Sequence, residues 1–312
     1  MSLRALVVTA AGLMLAACID PAVRTSSSRF VAGSAGFAGD WSTDPVTRIY
    51  GPAVKVGNGI ARTYVLQDDG RGGVPFEVGV AFTEEALEGL PKPMATKMAM
   101  PANGEHQHID THIFDLTMPD RHDTPYRFVE LDWNPGGHEP PGVYDVPHFD
   151  FHFYTVEPSR RNMIDPSRMS KEEYLAKSGS LPPEAQRAPN YAALSAPGTP
   201  VVAVPRMGTH WVDLRTPELQ GLFGRVEAYR PFTTTFLRGS WDGQFIFDEP
   251  MVTRAFILGR KLGRTAAERD SLILLSLPQT YAVSGHYPTA YHVMYDAESK
   301  EYRIALTQLE RR

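Results

Sequence analysis

The chain has 312 residues, 42% of them hydrophobic and 21% charged, enough apolar material to fill real cores and too much for a disordered chain. Its 31 Lys and Arg against 36 Asp and Glu leave a formal charge of −5, and no basic stripe with interleaved aromatics runs along it, which argues against nucleic acid as a partner. Gly and Pro, at 26 each, suit many strands and turns better than long helices.

The N-terminus reads as a targeting segment. Arg4 precedes an apolar run from Ala5 to Ala17, which ends Leu15-Ala16-Ala17-Cys18. A short basic region, a short apolar core and small residues before the cut make a secretory signal, and the run is too short to span a bilayer permanently. Leu-Ala-Ala-Cys resembles the lipobox of bacterial lipoproteins. That resemblance implies lipidation of Cys18, cleavage just before it and a membrane anchor on the periplasmic side of the cell envelope. An ordinary signal cut near Ala17 is the other reading. Cys18 is the only cysteine, so disulfides and thiolate metal sites are not expected in the folded part. Residues 19–47, with Thr25-Ser-Ser-Ser28 and Gly33-Ser-Ala-Gly36, read as a flexible tether.

A first β unit is expected over 48–158. Ala53–Val56 and Ile60–Leu66 are candidate strands around a Gly57-Asn-Gly59 turn, and Asp68–Gly73 is another turn. Phe76, Val78, Val80 and Phe82 alternate along a third strand, and Thr83 caps a short helix whose first turn is acidic. The segment Met94–Met100 is either a loop near a site or a loose flap. A strand is expected near 107–116, carrying His108-Ile-Asp-Thr-His112. The next, 127–133, sets Phe128, Glu130 and Asp132 opposite Val129, Leu131 and Trp133. Residues 159–206 change in composition; Ser170-Lys-Glu-Glu173 is a capping box, and the rest reads as a connector packed on the surface or partly covering a site.

The second half, 207–312, echoes the first. Thr63–Gly70 followed by Phe76–Leu90 resembles Thr235–Gly243 followed by Phe245–Ile257, and Gly137-His-Glu-Pro140 echoes Gly285-His-Tyr-Pro288. Two related small β-barrel or sandwich units follow, giving a mainly β, β-rich α+β chain.

The chemistry concentrates in Gly136–Tyr154. Phe149, Phe151 and Phe153 fall on one side of a strand, and His148, Asp150 and His152 on the other. The Phe side wants a core; the polar side wants a metal, a polar cavity or water. His138 arrives from a Gly/Pro turn just before. Imidazole is a common metal ligand and suits zinc, copper or iron; zinc comes first because it needs no redox partner. His148 and His152 are four residues apart, roughly 13 Å along a strand, too far to share one ion without a bulge. The expected metal set is His138, His148 and His152, with His210 of Met207-Gly-Thr-His-Trp-Val-Asp213 as the extra donor. Asp150, His108, His112 and Glu249 are second-sphere or alternative ligands. His286 and His292 read as structural. There is no Gly-x-Ser-x-Gly elbow, so nucleophilic catalysis finds little support.

Three motifs carry a family resemblance: Gly-His-x-Pro-Pro-Gly-x-Tyr-x-x-Pro-His-Phe-Asp-Phe-His-Phe-Tyr, then Met-Gly-x-His-Trp-Val-Asp, then Asp-Gly-x-Phe-x-Phe-x-Glu-Pro-Met. Over Arg48–Leu309 the chain resembles a bacterial envelope family of unknown function, typified by a ring-forming thermophile protein under extracytoplasmic sigma-factor control. The resemblance implies export and homo-oligomer formation, and brings no catalytic residues. The histidine strand is also similar to cupin motifs, by architecture only. Two functions follow: a non-catalytic envelope lipoprotein holding a metal or small ligand, or a metal-dependent envelope hydrolase or oxidoreductase.

Overall fold

The structure, a computed structural model, describes residues 46–93, 110–195 and 200–312. Cys18, the signal, most of the tether, Met94–Met100 and His108 lie outside the described residues. The chain is mainly β, 40% strand and 16% helix, in antiparallel sheets that do not close into a barrel.

The elements arise where alternation and turn chemistry agree. β1 (Val46–Tyr50), β2 (Val54–Val56), β3 (Gly59–Asp68) and β4 (Val74–Thr83) form the first group. Glu84–Leu87 is a single 3₁₀ turn. Thr83 precedes it without capping it, because the Thr83 hydroxyl accepts from the Ile60 N–H of β3 instead. β5 (His112–Thr117), β6 (Phe128–Asn134) and β7 (His148–Tyr154) follow. The connector carries α1 (Pro158–Arg161), α2 (Lys171–Gly179) and β8 (Tyr191–Ala193). Ser170 caps α2 by accepting from the Glu173 N–H, the first half of the expected box. Next come β9 (Thr209–Asp213), β10 (Thr234–Trp241), β11 (Gln244–Thr253), α3 (Arg254–Arg260), β12 (Asp270–Leu274), β13 (His286–Tyr287), β14 (Ala290–Asp296), β15 (Glu301–Thr307) and β16 (Glu310–Arg311).

Two seven-stranded sheets result. One runs β1-β3-β4-β15-β14-β12, with β2 on β3; the other runs β5-β6-β7-β11-β10-β9-β8. Each sheet takes strands from both halves of the chain. The first joins β4 to β15, and the second joins β7 to β11. Written from the other edge and leaving aside its edge strand β8, the second sheet is β9-β10-β11-β7-β6-β5, a strand, a hairpin and a meander from the opposite half, as in the first.

The inner faces pack as a sandwich. Val65, Val78, Val80, Phe82, Val293, Ile304 and Leu306 of the first sheet share one buried cluster with Leu131, Phe149, Phe151, Phe153 and Val252 of the second. Phe82 touches both Phe149 and Phe151, with ring centroids 5.4 and 5.8 Å apart. Each fully buried Phe contributes about 1.5–3 kcal/mol through the apolar area it removes from water. The Phe side of β7 therefore lies in the core, as its alternation predicts.

The connector, the loop before β7 and the loop between β9 and β10 build a third layer. Ile164, Tyr174, Ala203 and Met207 pack on Phe128, Tyr154 and Phe247. Val143, Tyr144, Leu219 and Phe232 pack on Val212, Leu237 and Met251. The outer face of the second sheet, which carries the histidines of β7, is thereby taken out of water.

Candidate metal centre

Pleating places the donors. On β7, His148, Asp150 and His152 point away from the Phe core, and all are at most 1% exposed. β6 lies beside β7 with Asn134, Asp132 and Glu130 opposite His148, Asp150 and His152. On the other flank, β11 sets Met251 opposite Asp150 and Thr253 opposite His148, which carries Glu249 to the level of His152. Pro250 sits in this central strand, where a missing N–H is rarely tolerated. Pairing with β7 is formed at Asp248–Phe153 and Met251–Asp150 and not at the two positions between.

Two loops bring the remaining histidines. Gly137 has φ +68°, and a Cβ there would lie 2.2 Å from the Tyr144 carbonyl oxygen, so only glycine lets the turn close and deliver His138. Gly208, at φ +83°, opens β9, where a Cβ would lie 2.4 Å from the Ser240 oxygen; His210 follows two residues later.

Three donor trios form within the cluster; two share no residue, and the third, Glu130, Asp132 and His152, overlaps the second at His152. In the first, His138 Nε2 lies 3.2 Å from Asp150 Oδ2, and His148 Nε2 lies 3.1 Å from Asp150 Oδ1. The other nitrogen of each ring is occupied: His138 Nδ1 contacts the Glu139 carbonyl at 2.8 Å, and His148 Nδ1 contacts the Val146 carbonyl at 2.6 Å. A carbonyl only accepts, so each Nδ1 carries a proton, and in the neutral ring Nε2 carries a lone pair. Asn134 donates to Asp150 Oδ2 at 2.7 Å and steadies the carboxylate. In the second set, His152 Nε2 lies 3.4 Å from Glu249 Oε1, and His210 Nε2 lies 3.7 Å from Glu249 Oε2. The donor atoms of each trio lie within 4.8 Å of one another.

Residues 70–133 match the model of the TTHB210-like family, described as hypothetical protein TTHB210. The family is one of unknown function, in keeping with the coarser part of the resemblance read from the motifs. The matched span runs from the turn before β4 through Asp132 on β6 and ends ahead of His138. No curated protein and no solved structure matches the chain.

The electrostatics of the cluster are unbalanced. Burial pushes the Asp132 carboxyl up, and the neighbouring Glu130 and Asp150 push it further. Burial, then Asp150 and Asp132, do the same to Glu249. Burial also opposes ionisation of Asp150, but His148 and His138 outweigh it and hold that carboxyl well below the usual range. Burial drives the His152 imidazole down to about 4. Burial raises the Glu130 carboxyl as well, but there Arg161 and Arg206, which both reach its Oε2, oppose it. Among the described residues, no Lys or Arg forms an ion pair with Asp132, Asp150 or Glu249.

The expected single set is thus divided. His138 and His148 stand with Asp150, and His152 stands with His210 and Glu249, as the strand spacing of His148 and His152 requires. His112 does not join them. It pairs opposite Trp133, on the far face of the sheet, and β6 separates its strand from β7, so the two histidine strands are not neighbours. Ile113 and Asp115 take the site face of β5 instead. Among the described residues Glu249 does not pair with arginine; its neighbour Asp248 does, with Arg238 at 2.9 Å. Asp132, Asn134 and the Arg161–Glu130–Arg206 bridge went unanticipated. The alternation at 128–133 placed Glu130 and Asp132 on one face, but only strand order shows which histidines they meet. His286 contacts the Asp123 carbonyl, and His292 lies between Glu77 and Asp270, both away from this cluster.

Proposed function

We propose that this protein is an exported, lipid-anchored envelope protein that binds a divalent metal ion, zinc first and copper or iron as alternatives, at His138, His148 and Asp150, in a non-catalytic role. The observation that carries the reading is the tautomer geometry. Both Nδ1 atoms are held by backbone carbonyls and both Nε2 atoms face one carboxylate, so once the Nε2 protons leave, two lone pairs are aimed beside Asp150 where a metal ion would take the protons' place. His148 Nε2 and Asp150 Oδ1 are buried with no hydrogen-bond partner. A buried, unsatisfied polar atom costs about 1–3 kcal/mol, more when charged, and a cation between these atoms removes the cost. Donors around one zinc ion, with bonds of about 2.0–2.2 Å, sit roughly 3.3 Å apart at tetrahedral angles, close to the spacings found here. Burial of His148 and Asp150 favours a holding role over turnover.

The metal-dependent enzyme is the second reading. A trio of protein donors leaves a coordination position open, and His138, 15% exposed, lies on the solvent side. The test is metal content per chain in protein purified without a histidine tag, stripped and reloaded with zinc, copper or iron. His148→Ala and Asp150→Asn should each lose one ion per chain. Full metal content in both variants sinks the proposal.

A further inference from the structure

Glu249 and His152 have no role in that first centre, yet both are at most 1% exposed and carry unsatisfied atoms. Neither ring nitrogen of His152 has a well-formed hydrogen bond, and Glu249 Oε2 has none. Both oxygens of Asp132, which faces His152 Nδ1 at 3.9 Å, are in the same condition. Four buried carboxylates, Glu130, Asp132, Asp150 and Glu249, share this sheet face; of the two arginines in reach, Arg206 is held by Glu130 and Arg161 by Glu130 and the half-exposed Asp115.

We propose that His152, His210 and Glu249 form a second divalent-cation centre, separate from the first, so that the folded chain carries two metal ions. It is independent of the first centre, because the two trios share no residue.

Three considerations select this trio. The alternative grouping of His152 with Glu130 and Asp132 uses a carboxylate already bridged by Arg161 and Arg206, whereas Glu249 forms no ion pair with Lys or Arg among the described residues. The two oxygens of Glu249 each face a different imidazole, at 3.4 and 3.7 Å. Those gaps exceed ordinary N–H···O distances of about 2.7–3.2 Å and suit donors arranged around an ion. Finally, Pro250 interrupts the β11–β7 ladder beside Glu249. A proline in a central strand breaks a local rule, and such departures concentrate at functional sites. The ligand class is a borderline divalent cation. Imidazole nitrogen with one carboxylate suits zinc, copper or iron, and a hard oxygen-seeking ion such as magnesium fits poorly.

The experiment is a zinc titration of the chelator-stripped, untagged protein, with stoichiometry read by calorimetry and atomic emission. The wild type should bind two zinc ions per chain. Glu249→Gln, which keeps shape, and His210→Ala, at a partly exposed position, should each bind one. His148→Ala should also bind one, and combining it with Glu249→Gln should bind none. Circular dichroism and cooperative melting establish that each variant is folded. If Glu249→Gln misfolds, His210→Ala decides alone. A wild-type stoichiometry of one that His210→Ala leaves intact overturns this second centre and spares the first. A stoichiometry of one that survives His148→Ala and disappears in His210→Ala upholds the second centre and overturns the first. No zinc in the wild type overturns both.

Discussion

Glu77→Gln isolates a buried ion pair remote from the histidine cluster. Glu77 lies on the outer face of the first sheet, where His292 Nε2 approaches at 3.3 Å, the Tyr64 hydroxyl donates at 2.7 Å and the Thr307 hydroxyl at 3.1 Å. Burial pushes this carboxyl up. His292, the Tyr64 hydroxyl and Arg303 together overcome it and hold the group at about 2, against 4.5 for a free side chain. Burial lowers His292, but Glu77 and Asp270 raise it to about 10 from 6.5. The depressed carboxyl contributes stability that is complete above pH 4.5 and lost as pH falls toward 2. The raised imidazole contributes stability that is complete below pH 6.5 and lost as pH rises through 10. Both contributions are intact only between 4.5 and 6.5. They describe one interaction from two sides and are not added. The Glu77 side alone corresponds to roughly 3 kcal/mol, the scale on which removing one partner of a buried pair is felt. Urea denaturation of wild type and Glu77→Gln across pH should show a difference near 3 kcal/mol at about pH 5.5, shrinking toward both extremes. A difference that does not vary with pH would refute the electrostatic origin and leave only lost packing.

Phe151→Ala should destabilise the fold by about 3–5 kcal/mol in the same assay, because Phe151 is fully buried between the sheets against Phe82. A cost below about 1 kcal/mol would mean that the sheets do not pack there. Metal loading should weaken as pH falls below about 6, since protonated imidazole cannot ligate; loading unchanged at about pH 4 would remove histidine from the ligand set. Radiolabelled palmitate should enter the wild type and not Cys18→Ser, and equal labelling of both would remove the lipid anchor from the proposed function.

The alternation of β7 was legible because one physical rule decides it. Three phenylalanines at every second position must share a face, and that face must be buried. What the other face meets was not legible. His148, Asp150 and His152 suggested one polar surface open to a ligand or to water, but the connector and two loops cover that surface, and the donors fall into sets separated along the strand. Partner strands set the division. β6 brings Asp132 and Asn134, and β11 brings Glu249, whereas β5, with His112, is held one strand away. Strand order is a long-range property that no local pattern encodes. Arg161 and Arg206 show the same limit: 44 residues of connector separate them, and only folding brings both onto Glu130.

The echo between the halves gains a physical meaning from the sheet orders. Thr83 and Thr253 each close the long strand of a hairpin and lead into a helical turn. From these residues, Ala81 on β4 corresponds to Met251 on β11. Arg303 pairs with Ala81 and Asp150 pairs with Met251, so Arg303 occupies the position of Asp150. Two residues along each strand, Ala305 stands where His152 does, and Glu301 stands where His148 does. Gly79 takes the place of Glu249, and Met294, opposite Arg303, takes that of Asp132. The counterpart of His-x-Asp-x-His is therefore Glu301-x-Arg303-x-Ala305 on β15, one strand beyond β14, the strand that follows the Gly285-His-Tyr-Pro288 echo. The first sheet neutralises its buried acids from within: Arg303 reaches Glu301 at 3.1 Å and Asp296 at 2.7 Å. The second sheet has an aspartate where that arginine would be. Shared topology thus leaves one outer face with its own cation and the other with a cluster of carboxylates and imidazoles whose missing positive charge a metal ion would supply.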